Sequence, residues 1–267
     1  MGHTRLGAIP KTRKWNEVVE QIAGSGLTGC AAPAAVNMGA IAAQTLDAAQ
    51  KGLDRAADDP GGLYTFYLLT QVALAARTSD WKVVLGEHGI RLSNDSTVFD
   101  FTAEVQDAID RYLSRNPSGA TDLSEIAQQS AGEAITSLAG MRMDSLFGDS
   151  GADVQDAIRS LSTKKGSGEL GQRFFGRFVA RFLNFYLSRV TAAKLGEPRL
   201  RDLGDIAQFN DALRSHCDQS ARIVRDFCGA WYSRTEYEKG IDLENTSRFL
   251  AVALKKLSSE LEQQKAA

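Results

Sequence analysis

Apolar residues recur along this chain at three- and four-residue spacing, and sustained two-residue alternation is missing, so the pattern predicts helices. A first helix is expected over 15–23, broken by GSGLTG. A second, rich in small residues, spans 31 to about 57 (AAPAAVNMGAIAAQTLDAAQKGLDRAA). The turn DDPGG leads into GLYTFYLLTQVALAART, and SDWKVVLGEHGIRLSND reads as a short helix and a loop, its VVL run the one place where a strand could form. VFDFTAEVQDAIDRYLSR ends at Asn116-Pro117. DLSEIAQQSAGEAITSLAGMRM opens on Thr121-Asp122, with Glu125 following as in a capping box. ADVQDAIRSLS comes next, then a long aromatic-rich run that breaks at Gly196-Glu197-Pro198. The periodic segment LGDIAQFNDALRSHCDQSARIVRDFCGAWYSR reads as one helix, and LENTSRFLAVALKKLSSELEQQ follows. With no strand–helix alternation, the fold class is all-α: a single compact multi-helix bundle of about nine helices. Residues 1–14 form a basic irregular arm, 15–264 the helical domain, and 117–121 is a candidate sub-boundary.

The aromatic-rich run, GELGQRFFGRFVARFLNFYLSRV at 168–190, holds six aromatic rings and four arginines. On a helical wheel Arg173, Arg177 and Arg181 fall with Asn184 and Ser188 in a polar stripe roughly 100° wide. Phe174, Phe175, Phe178, Phe182, Phe185 and Tyr186, with Val179 and Leu183, cover on the order of 200° more. A membrane-surface helix has the opposite proportions. So broad an apolar sector calls for protein on several sides, and the run is expected to be the core rod. The arginine stripe is either salt-bridged to acids of the 202–226 segment or a cationic groove for phosphate. Lys164 and Lys165, in a glycine-bearing loop KKGSG ahead of a helix start, extend the candidate anion or nucleic-acid surface formed with Arg173, Arg177 and Arg181.

Composition narrows the class. Of 267 residues 43% are hydrophobic and 24% charged, as in a soluble globular protein, and the net charge of −2 argues against a DNA-coating protein while leaving room for a local basic patch. Cys30, Cys217 and Cys228 are three scattered cysteines, neither a disulfide framework nor a Cys-x-x-Cys zinc pair, and they fit a reducing cytoplasm. On one helix Cys217 and Cys228 would share a face roughly 16 Å apart, as small buried hydrophobes. MGHTRLGAIPKTRKW lacks the apolar stretch of a secretory signal, and no run is long enough to span a membrane.

Recognisable catalytic chemistry is sparse. The three histidines are His3, His88 and His216, with no His-Glu-x-x-His or Glu-x-x-His pattern, so neither a metal nor a cofactor is expected. His216-Cys217-Asp218 is no triad, because adjacent helical residues point about 100° apart. Glu104, Asp107 and Asp110, and Asp54, Asp58 and Asp59, are acidic groups on helix faces. Phe227 and Trp231 read as core, while Tyr232 and Tyr237 look freer. The echo of VQDAI at 105–109 and 154–158 falls short of a solenoid repeat.

The stretches MGHTRLGAIPKTRKW and GELGQRFFGRFVARFLNFYLS resemble those of uncharacterised bacterial all-helical proteins without a settled activity, whose setting implies an accessory subunit in a multi-gene, defence-type cluster. With catalytic constellations absent and an acid-free basic arm ahead of the helical body, the expectation is a non-enzymatic adaptor that binds a protein partner through Arg5, Lys11, Arg13, Lys14 and Trp15. The alternatives are a nucleic-acid-binding protein using the arm and the arginine stripe, and a cryptic metal-dependent hydrolase or nuclease. Self-association remains open.

Overall fold

Polar caps set most of the helix starts. The computed structural model describes residues 6, 9–24, 37–116, 120–142 and 151–263. Thr12, Asn37 and Asp59 each accept a backbone N–H in the first turn of α1 (Arg13–Ala23), α2 (Met38–Ala56) and α3 (Pro60–Ala75). Reciprocal side-chain and backbone bonds at Thr97 with Asp100, and at Thr121 with Ser124, open α5 (Val98–Arg115) and α6 (Asp122–Gly140). Between α3 and α5 lies the short α4 (Trp81–Glu87), so the VVL run is helical, with Leu85 wholly buried. After α7 (Gly151–Ser160), Thr163 caps α8 (Lys164–Ala193) and Asp202 caps α9 (Leu203–Ser220); α10 (Arg222–Glu238) and α11 (Leu243–Gln263) complete the order.

The protein is all-α, with eleven helices among the described residues and no strand. About nine were expected. The count rises because the short helix read in SDWKVVLGEHGIRLSND forms as α4 and because the long periodic segment divides at Ala221, where the Val224 amide bonds back three residues to the Ala221 carbonyl at 3.0 Å. Neither Gly nor Pro marks that break. It places Cys217 and Cys228 on different helices, both buried, so the shared-face expectation for them fails.

The centre of the molecule is α8, about 45 Å long at the usual rise per residue, with α6, α9 and α10 packed along it. Phe174, Phe175, Phe178, Phe182 and Tyr186 are all buried and Phe185 packs against the same core, as the wheel predicts for a rod wrapped by its own chain. Phe249 of α11, which the sequence reading did not single out, stands at the middle of an aromatic cluster with Phe66, Phe175, Phe227 and Trp231. One hydrophobic cluster includes Leu113 and Leu123, on either side of the candidate sub-boundary.

The two VQDAI segments bury the same face: Val105, Ala108 and Ile109 on α5, and Val154, Ala157 and Ile158 on α7. Of the late aromatics, Tyr237 is 89% exposed, whereas Tyr232, expected to be freer, is 1% exposed beneath the Arg77 guanidinium, 5.9 Å from its ring.

The basic leader needs two corrections. The first helix starts at Arg13, two residues early, because Thr12 caps it by accepting from the Trp15 amide at 3.2 Å. Trp15, expected as a partner contact, is 4% exposed and lies edge-on to Tyr186, with ring centroids 6.4 Å apart. Leu6 is also buried, its amide donating to Asp122 at 2.7 Å and its carbonyl accepting from the Tyr186 hydroxyl at 3.4 Å. Lys14 pairs with Asp47 on α2, and Arg13 reaches Glu17 while staying largely exposed. Lys11 is exposed, and Arg5 lies outside the described residues.

Candidate anion-binding face

Glycine makes this face possible. The N-terminal half of α8 runs antiparallel to α10, and Gly168 meets the Arg225 backbone so closely that an added Cβ would fall 2.6 Å from its carbonyl oxygen. Gly229 on α10 meets the Lys164 carbonyl more closely still, and Gly171 faces the Cys228 side chain. KKGSG is therefore the first turn of a helix and not a loop. Its glycines serve backbone contact, and Thr163 caps the turn by accepting from the Gly166 amide at 2.9 Å. Along the resulting seam Lys164 and Lys165 are exposed on α8, and Arg222 is exposed on α10. None of the three has an ion-pair partner among the described residues.

Further along α8 the arginine stripe meets acids, as one of the two sequence readings expects. Three carboxylates serve six arginines. Glu169 bridges Arg142 at 2.6 Å and Arg225 at 3.2 Å. Asp218 on α9 bridges Arg173 at 3.2 Å and Arg177 at 3.3 Å. Glu133 on α6 reaches Arg177 at 2.9 Å, Arg181 at 2.9 Å and Arg214 at 3.7 Å. The network ties α6, α8, α9 and α10 together and still leaves more guanidinium than carboxylate.

The innermost member is Arg177, its side chain 12% exposed. Burial draws it below its ordinary value, while Asp218 and Glu133 hold it up, and it stays a cation. Burial raises the Asp218 carboxyl, and the arginines pull it back. Although Arg177 lies within ion-pair distance of both carboxylates, its Nε and Nη1 protons are not aligned for hydrogen bonds, and Asp218 Oδ1 accepts none. The contacts are Coulombic more than directional.

Three neighbouring cavities open on this side. One of about 520 Å³ is lined by Lys164, Lys165, Gly168, Arg222, Arg225 and Gly229, with Asp226 its one carboxylate among the described residues. A second, about 400 Å³, shares Arg222 with it and includes Arg173, Arg177 and Arg214. A third, also about 400 Å³, shares Arg225 with the first and Arg173 with the second. Among the described residues no aromatic side chain lines any of the three. Such a surface can hold phosphate or carboxylate groups by charge and guanidinium forks.

The other singled-out groups are scattered. Asp110 accepts from Gln128, Asp54 accepts from Gln50, and Asp59 caps α3 and accepts from the Thr121 hydroxyl at 2.6 Å. Burial raises both cysteine thiols, Cys228 to about 12, and lowers the half-buried His216. Among the described residues no group of three or more His, Cys, Asp or Glu side chains is placed to hold a metal ion, and no helix is long and apolar enough to cross a membrane. Arg142, Arg214, Arg222 and Arg225 were missed in the sequence reading, because they join the stripe only through the packing of α6, α9 and α10 on α8.

No family model matches the chain, and no curated protein or solved structure matches it either.

Proposed function

We propose that the protein is a binding subunit whose working face is the cationic side of α8, α9 and α10, and that it docks on the phosphate backbone of a nucleic acid. One observation carries this reading: six arginines share three carboxylates, while Lys164, Lys165 and Arg222 beside them have no ion-pair partner among the described residues. A network built only to fix helices gains nothing from surplus cations, whereas a phosphate strand neutralises them and releases counterions. Among the described residues no ring lies along the face, so the contacts this reading expects go to phosphate, with affinity independent of sequence.

The test is fluorescence anisotropy with labelled single-stranded and duplex oligonucleotides of mixed sequence at two salt concentrations. The wild type is compared with a Lys165→Glu, Arg222→Glu double variant, whose exposed positions leave the core untouched. Expected are binding at low salt, steep weakening with added salt, and a loss of about tenfold or more in the variant. Absence of binding at low salt, or equal affinity of the variant, ends the reading.

The adaptor reading, with an acidic protein segment as partner, draws support from the exposed Lys11 and Arg13. The informative comparison there is Lys11→Gln, Arg13→Gln against wild type in co-purification. Deleting 1–14 would also remove the Leu6 contacts and the Thr12 cap.

A further inference from the structure

On another side of the molecule a cavity of about 560 Å³ lies between α3, α5 and the loop that follows α4. Residues Glu104, Ala108, Arg111, Tyr112 and Arg115 of α5, at successive helical spacings, turn one stripe toward it. Buried Ala108 sits on that stripe between larger side chains, which gives the space depth. The far wall is preformed. Gly89, at φ +83°, turns the loop so that its carbonyl accepts from Arg111 Nη2 at 2.6 Å, and the Arg91 amide donates to Glu104 at 2.9 Å. Tyr64 of α3 lies parallel to Tyr112, with ring centroids 3.6 Å apart.

The charges inside do not balance. Glu104 is committed to the Arg91 amide and, at 3.9 Å, to Arg111. Arg91 and Arg115 line the space with no ion-pair partner among the described residues, and Glu87 is the one remaining carboxylate of the lining. Arg111 and Arg115 both act electrostatically on the Tyr64 hydroxyl, and all three residues line the one cavity. Volumes of this order hold small organic ligands, and a lining with three guanidiniums and a phenol hydroxyl suits an acid group.

We propose that this cavity binds a nucleotide-sized organic anion, its acid group held by Arg91, Arg111 and Arg115 and its body lying against Tyr64 and Tyr112. The site is separate from the cationic face and does not rest on the nucleic-acid reading.

Isothermal titration with adenosine monophosphate, adenosine and inorganic phosphate as probes tests it. Proteins to compare are the wild type, Arg91→Ala with Arg115→Ala, and the Lys165→Glu, Arg222→Glu variant. Arg91 and Arg115 are exposed and outside the core, so the double variant is expected to fold, which its melting temperature checks. Adenosine monophosphate should saturate the wild type at low-millimolar concentration or below, with affinity reduced about tenfold or more in the Arg91, Arg115 variant and unchanged in the other. Adenosine and inorganic phosphate should each bind more weakly. No saturable heat with adenosine monophosphate overturns the proposal, as does equal affinity in the Arg91, Arg115 variant. Loss of binding in the Lys165, Arg222 variant moves the ligand to the other face, and equal affinity for inorganic phosphate leaves the cavity without a role; either overturns it too.

Discussion

Phe249 of α11 and Trp231 of α10 lie nearly face to face, with ring centroids 4.2 Å apart and planes at 20°. Through Phe249, the same stack reaches Phe227 at 5.2 Å and Phe66 of α3 at 5.4 Å. Phe249→Ala should therefore destabilise the fold by about 3–5 kcal/mol, the usual range for emptying a large aromatic site. It should also shift tryptophan emission to longer wavelength, since Trp231 loses its covering ring. Urea unfolding followed by fluorescence reads both. A loss below about 1 kcal/mol would mean that the cluster closes around the gap.

Glu133 is the carboxylate that most arginines share, so Glu133→Gln leaves Arg177, Arg181 and Arg214 facing one another with less compensation. The cost in stability should be about 1–2 kcal/mol, below the range for a fully buried pair because these side chains keep partial contact with water. The gap from wild type should narrow in high salt, where repulsion between the guanidiniums is screened. On the proposed function, oligonucleotide affinity should rise, which distinguishes a surplus of positive charge from a purely structural clamp.

The α8–α10 seam depends on the absence of side chains. Gly229→Ala would drive a methyl group into the Lys164 carbonyl, and since that neighbour is backbone it cannot swing aside. A loss of about 1–3 kcal/mol is expected. Gly86→Ala on α4 is the contrast: nothing lies within 4 Å of the added carbon. The better helix former should there be neutral or stabilising by about 0.5–1 kcal/mol. Thermal denaturation of the pair separates close packing from helix propensity.

Burial holds the Asp59 carboxyl above its ordinary 3.8, despite the bonds it accepts from Thr121 and Gly62. The folded chain therefore keeps a proton on Asp59 at a pH where the unfolded chain has already released it. Its contribution to stability falls as pH rises through the window between 3.8 and the raised folded value, and returns on acidification. Asp59→Asn should flatten the stability profile across that window. It also leaves a single acceptor oxygen where the carboxylate uses two, a constant loss of about 0.5–1.5 kcal/mol. Chemical denaturation across that pH range checks the slope, and an unchanged slope would place the titration elsewhere, with Asp218 the next group raised by burial.

Local features were legible in the sequence wherever a signal lay within a few residues. Thr121 as a cap, Asn116-Pro117 after α5, and the aromatic sector of α8 each announce themselves by spacing, although the residue that completes the Thr121 capping box is Ser124 and not the expected Glu125. The division at Ala221 did not, because alanine is the best helix former and the pattern on either side stays in phase. KKGSG was misread for a related reason: glycine signals a loop to the chain's near neighbours, while here its purpose is a helix far along the sequence. Four of the arginines on the candidate face come from outside α8, and the Tyr64–Tyr112 cavity needs α3, α5 and the end of α4 with its loop brought together, which spacing along the chain does not show.

Where Gly168 and Gly229 let two helices touch main chain to main chain, the attachment points of Lys164, Lys165, Arg222 and Arg225 are fixed by the rigid parts of the polypeptide. A partner arriving there would have only the flexible side-chain tips to quiet, not the scaffold beneath them, so little ordering entropy would oppose its arrival.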